Sequence, residues 1–150
     1  MPVEQVDKGS YILLINFPAH HNIVVGKLGK IHFNSGWYAY VGSAMGGFRK
    51  RLPRYLNKVE RLHWHIDYLL ELAPARRILV YATNERLECR IAGMLREVLE
   101  SVPGFGCSDC LCKSHLFYSP TYRKLKSGLR NIQSIQPGLV ARDFGRSLLR

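Results

Sequence analysis

WYAYVGSAMGGFRKR, residues 37–51, changes its period halfway along. Up to Gly42 the side chains alternate, with Trp37, Ala39 and Val41 on one face and Tyr38 and Tyr40 on the other, as in a β-strand. After Gly46-Gly47, Phe48, Leu52, Tyr55, Leu56 and Val59 recur at spacings near three and four, as on one face of a helix. Pro53 has no N–H to donate and its ring crowds the preceding turn, so the helix breaks there or starts anew. A glycine-rich turn between a strand and a basic helix also brings backbone N–H groups, those around Gly42 and Ser43, to where a phosphate can sit.

Upstream, Ser10–Phe17 is a short apolar run closed by Pro18 and reads as a buried strand. Asn22–Gly26 and Ile31–Phe33 flank Lys27-Leu28-Gly29-Lys30, a hairpin turn, and Asn34-Ser35-Gly36 is the next turn signal. The first forty residues are therefore an antiparallel meander. Downstream, His63–Ala73 reads as a helix ended by Pro74, Arg77–Ala82 as a strand, and Asn84 as the cap of a helix reaching about Glu100. Gly104–Ser114 is a glycine- and cysteine-rich loop, His115–Tyr118 a short strand, and Ser119-Pro120 the start of a basic helix ending at Leu129. Beyond it Pro137, Gly138 and Gly145 interrupt any regular pattern, and a mobile tail is expected. Residues 1–119 thus form one domain of α+β class, a central antiparallel sheet flanked by helices with an inserted N-terminal hairpin, and 120–150 a basic helix and tail.

The chain has 150 residues, 47% hydrophobic and 22% charged, which excludes global disorder. No run approaches the roughly 18 apolar residues of a membrane helix, and Met1–Lys8 lacks the basic-then-apolar order of a signal peptide, so a cytoplasmic protein is expected. Charge is the strongest compositional signal. A formal net charge of +11 points to a polyanionic partner, nucleic acid first and no membrane. The charge is concentrated: Arg123, Lys124, Lys126, Arg130, Arg142, Arg146 and Arg150 face Asp143 alone in residues 120–150. Arg49, Lys50, Arg51, Arg54, Lys58 and Arg61 face Glu60 in a second block.

Glu88 heads a helical stripe completed by Ile91, Ala92, Leu95 and Leu99. It is either a helix-start acid turned to solvent at the rim or a metal ligand, since a partly buried carboxylate must be paired or coordinated. Tyr11, Tyr38 and Tyr40 are either core aromatics with surface hydroxyls or members of a site. His63 and Asp67 share a helix face at i, i+4 and read as a local pair, while His65 points elsewhere. Cys107, Cys110, Cys112 and His115 supply a tight set of zinc-type ligands, with Cys89 standing apart. The same residues also read as reduced thiols packing the loop, or as a regulatory disulfide.

Gly9-Ser10-Tyr11, Tyr40-Val41-Gly42, Arg51 and Glu88, in that order, resemble the pattern of the GIY-YIG nuclease superfamily. YVGSA and GGFRKR are similar to the second motif and following arginine of the superfamily's excision-repair endonuclease. The wider string HWHIDYLL, LECRIA and GFGCSDCLCKSH resembles a small prokaryotic branch catalogued as a domain of unknown function. The likeness spans Gly9 to Tyr118. It implies an antiparallel-sheet endonuclease that cuts nucleic-acid phosphodiesters, DNA ahead of RNA, with one Mg²⁺ or Mn²⁺ on Glu88. Tyr11 would act as or through the general base, Tyr40 would position water or phosphate, Arg51 would bind the scissile phosphate, and Tyr55 would take a helix position often filled by histidine or tyrosine. Arg49, Lys50, Arg54, Arg123, Lys124, Lys126 and Arg130 would hold flanking phosphates. The chain departs from the pattern in Ser10, which replaces an isoleucine, and in the 29 positions between Tyr11 and Tyr40, which an inserted hairpin explains. Gly36-Trp37-Tyr38 imitates the first motif and makes Tyr38 the substitute for Tyr11. Other expectations for the same residues are a nucleic-acid-binding module without turnover, and a zinc-stabilised accessory protein contacting RNA.

Overall fold

β1 (Gly9–Phe17) is nearly continuous in its burial, because both of its neighbours and both of its faces are covered. In the computed structural model, which describes residues 6–57, 61–107 and 111–144, it lies between β4 (Gly36–Ala44) and β5 (Arg77–Ala82). β6 (Glu100–Ser101), β7 (Leu116–Ser119) and β8 (Ala141–Asp143) complete a six-stranded sheet in the order β6-β7-β4-β1-β5-β8, antiparallel at every pairing. β2 (His21–Val24) and β3 (Lys30–Phe33) form a separate inserted hairpin, so the first forty residues are not the expected meander: β1 skips the hairpin and pairs directly with β4. The expected α+β architecture is the observed one.

Alternation along the strands splits the core in two. Tyr11, Leu13, Ile15, Phe17 and Tyr38 pack with the hairpin's Phe33 and with α1 (Phe48–Arg51), α2 (Pro53–Leu56) and α3 (His65–Leu70). Ile12, Leu14, Ala39 and Val41 point the other way, onto α4 (Glu88–Val98) and α5 (Tyr122–Leu129). Pro53 occupies the first position of α2, where its missing N–H costs no hydrogen bond, and so it starts a helix instead of interrupting one.

Four local expectations need correction. α3 begins at His65, two residues late, because the Asp67 carboxylate caps it by accepting the backbone N–H groups of His63 (2.9 Å) and Trp64 (2.8 Å). The His63 contribution is thus its peptide N–H, and the ionic partner of fully buried Asp67 is Arg54 at 3.0 Å. Asn84 does not cap α4, which starts at Glu88 after Leu87. Thr121, and not Ser119, caps α5, its hydroxyl accepting the Lys124 N–H.

The fourth correction concerns the tail. Residues 130–135 form a 3-10 turn whose Ile132 is buried, Leu139 is buried beside it, and β8 pairs with the edge of β5. Asp143 takes the Arg77 guanidinium in a two-pronged bond of 2.9 and 3.0 Å. Chain geometry hid this strand, since three residues after a proline and a glycine carry almost no periodic signal. Arg146 and Arg150 lie outside the described residues. Among those described, no helix is long and apolar enough to cross a membrane. Truncation after Leu129 removes β8, Ile132 and Leu139, and is expected to cost about 3–6 kcal/mol from the two buried side chains alone, read by urea denaturation.

Candidate active site

The register of β1 on β4 sets Tyr11 opposite Gly42 and Leu13 opposite Tyr40. A Cβ on Gly42 would overlap the Tyr11 ring, so the phenol lies across the strand only because that position is glycine. Its hydroxyl meets the Tyr55 hydroxyl of α2 at 2.7 Å, with the rings 5.5 Å apart. Immediately after β4 the chain turns through Gly46-Gly47 into α1, and this turn carries Arg51 to the same place. From the opposite layer, the start of α4 contributes Glu88.

These side chains line a cleft of about 550 Å³. Tyr11, Tyr40, Arg51, Tyr55 and Glu88 are all on its wall, with Gly42 and Ser43. The structure thus brings together five side chains that the sequence singles out separately. Among the described residues, two polar atoms of the cleft, Glu88 Oε2 and Ser43 Oγ, are buried without a hydrogen-bond partner. A carboxylate oxygen withdrawn from water and left unpartnered is costly unless a ligand or cation completes it.

Burial decides the state of the phenols. Desolvation holds Tyr11 and Tyr40 well above the ordinary tyrosine range, reinforced by the neighbouring Tyr55, and the lowering effect of Arg51 does not offset it. Both are protonated in the unliganded cleft. Tyr38 does not line the cleft; its hydroxyl donates to the Asn34 carbonyl at 2.7 Å, and as a substitute for Tyr11 it is misplaced.

The spacing of the sequence missed several wall residues. Trp64 stacks beneath two guanidinium groups, Arg51 at 4.7 Å and Arg54 at 4.4 Å from the ring centroid. His65 accepts the Gly106 N–H on Nδ1 at 2.9 Å, and burial lowers its pKa, so it is neutral at pH 7 with its proton on Nε2. Gly106 itself has φ +74 and a Cβ there would crowd Tyr40 and His115, which explains a glycine in the cysteine loop. Arg86 and His63 complete this side. The HWH tripeptide was the one available signal, and it pointed to a local pair.

The cysteines are arranged differently from the expected loop cluster. Cys89, Cys112 and His115 bring their ligand atoms within 4.8 Å of one another, a group that could hold a metal ion. Cys107 is not in it; its thiol donates to the Phe105 carbonyl at 3.4 Å. Cys110 lies outside the described residues.

The basic residues divide between the two layers. Arg49 and Lys50 are exposed on α1, Arg49 being 3.9 Å from Asp7, while Arg54 is engaged by Asp67. Arg123, Lys124, Lys126 and Arg130 are exposed on and just after α5, the helix whose Leu125 packs on the sheet face opposite Tyr11.

Fold and site together define an α+β protein with a polar cleft built where the central strands meet the start of a helix on either side. The family model of a domain of unknown function, DUF123, matches residues 10–136, and the chain belongs to that family. No curated protein and no solved structure matches it significantly.

Gly42→Ala is expected to displace the Tyr11 ring and break its bond to Tyr55, at a cost of about 1–3 kcal/mol in urea denaturation. The buried phenols also fix the sign of an alkaline effect. Their folded pKa values lie above the unfolded value, so their contribution is complete below about pH 10 and is lost as pH rises further. Unfolding midpoints measured upward from pH 9 should fall, and Tyr11→Phe should flatten the fall.

Proposed function

We propose that the chain is a metal-dependent endonuclease of the GIY-YIG type, hydrolysing phosphodiester bonds in DNA, branched or damaged duplexes included, in the cytoplasm. The observation that carries this reading is the convergence of Tyr11, Tyr40, Arg51 and Tyr55 on the cleft where Glu88 Oε2 is buried and, among the described residues, unpartnered. That oxygen fits a hard divalent cation, and Mg²⁺ or Mn²⁺ held there would neutralise charge at phosphorus and stabilise the leaving oxygen.

The chain's own residues supply the rest. Arg51 presents a planar fork of donors to the non-bridging phosphate oxygens. Tyr40, diagonal to Tyr11 across the β1–β4 pairing, positions water or phosphate through its hydroxyl. Tyr11 keeps its proton in the unliganded cleft and orients the attacking water through its link to Tyr55. Arg49 and Lys50 lie beside Arg51 on α1, where flanking phosphates would pass, and interactions of this kind position a backbone without reading its sequence.

Ser10 in the first motif and the hairpin inserted between Tyr11 and Tyr40 favour one second reading, a nucleic-acid-binding module of the same fold without turnover. Cleavage of supercoiled plasmid and of branched DNA by wild type and Glu88→Ala, each with Mg²⁺, Mn²⁺ or EDTA, separates the two. Metal-dependent nicking that falls by about 10²–10³-fold or more in Glu88→Ala is the result expected of the enzyme. Salt-dependent binding by both proteins with cleavage by neither selects the module.

A different measurement addresses the basic layers. The slope of log K against log salt should become shallower by about 1 for each phosphate-binding side chain among Arg49, Lys50, Arg123, Lys124, Lys126 and Arg130 that is replaced by alanine. An unchanged slope removes that residue from the interface.

A further inference from the structure

Cys89 is the second residue of α4, whereas Cys112 and His115 belong to the segment entering β7, so the group within 4.8 Å joins two parts of the chain 23 positions apart. Tetrahedral zinc, with bonds of about 2.3 Å to sulfur and 2.0 Å to nitrogen, separates its ligand atoms by about 3.5–3.8 Å. The observed spread closes to that with side-chain shifts of about an ångström.

The histidine is already held as a ligand needs to be. His115 is buried, its peptide N–H donates to the Phe105 carbonyl (2.8 Å), and its carbonyl accepts the Val41 N–H (2.9 Å). Its Nδ1 lies 3.1 Å from the Val41 carbonyl, a hydrogen bond that requires the proton on Nδ1 and leaves the lone pair on Nε2. A backbone carbonyl fixing tautomer and ring in this way is the usual support of a metal-bound imidazole. Cys89 is exposed, which gives an ion a path from solvent.

We propose that Cys89, Cys112 and His115 form a zinc site that ties the first turn of α4 to the entry of β7. Two sulfurs and one imidazole select a borderline-soft ion over Mg²⁺, so this site and the oxygen of Glu88 next to it take different metals. Each thiol loses its proton to solvent as its sulfur–zinc bond forms, two protons per ion, and the bound Zn²⁺ and two thiolates balance in charge. Among the described residues, these three side chains are the ligands of the site. Occupied, the site anchors the helix end that carries Glu88 and the segment that carries His115, and it stands whether or not Glu88 takes part in phosphodiester cleavage.

Elemental analysis of full-length protein purified without chelator should find one zinc per chain. Cys89→Ser, Cys112→Ser and His115→Ala should lose it, while Cys107→Ser and Glu88→Gln retain it. Should the ligand variants fail to fold, the wild-type protein still decides the matter. Loading with Co²⁺ should produce a thiolate-to-cobalt charge-transfer band, and zinc should protect Cys89 and Cys112 from iodoacetamide until it is chelated, with Tm falling on chelation. The proposal is overturned by any of four results: no zinc and no cobalt uptake, zinc retained in Cys89→Ser, zinc lost in Cys107→Ser, or a Cys89–Cys112 disulfide in protein prepared under reducing conditions. None of these readouts depends on nuclease activity, so the two proposals fail separately.

Discussion

The Tyr11 ring lies where a side chain on Gly42 would have to be. Everything at the cleft depends on that one close approach between neighbouring strands. The antiparallel register of β1 on β4 runs unbroken from Gly9 opposite Ala44 to Phe17 opposite Gly36, and a slip of one residue would send Tyr11 to the α4 layer. With the register set, Tyr11 meets Tyr55, Tyr55 fixes α2 against the sheet, and α1 delivers Arg51 beside them.

A second constraint keeps this layer in place. Asp67 is fully buried, and a charge so placed has to be matched. It caps α3 through the N–H groups of His63 and Trp64 and holds Arg54, which in turn stacks on Trp64 and Tyr55. Arg54 is therefore part of the wall's support, whereas Arg51, one turn earlier, faces the cleft. Two arginines three residues apart have different tasks because one of them meets a buried carboxylate.

Much of the fold was legible in local pattern. β5 runs over the residues its apolar sequence marks, the Pro53 alternative resolves as a helix start, and Glu88 heads the stripe of Ile91, Ala92, Leu95 and Leu99 that packs on the sheet. Tyr11, Tyr40, Arg51, Tyr55 and Glu88, each singled out in the sequence, reach one cleft. The tail was illegible because β8 is short and edge-paired, so its stability comes from Arg77 and from buried Ile132 and Leu139 and not from its own periodicity. Cys89 was set apart from the other cysteines on spacing alone, yet helix α4 brings it to Cys112 and His115.

By itself, then, the sequence determined the elements, the α+β class, the basic charge and the strand-to-helix turn that carries the candidate arginine, because each is written in residues a few positions apart. Only the tertiary structure decided which distant groups meet. It put the phenol of Tyr11 over Gly42, buried an oxygen of Glu88 with no partner among the described residues, gave Asp67 to Arg54, and brought Cys89 to His115. Those outcomes depend on register and layer packing, which bring together residues that share no local pattern, and on burial, which sets their protonation only after they have met.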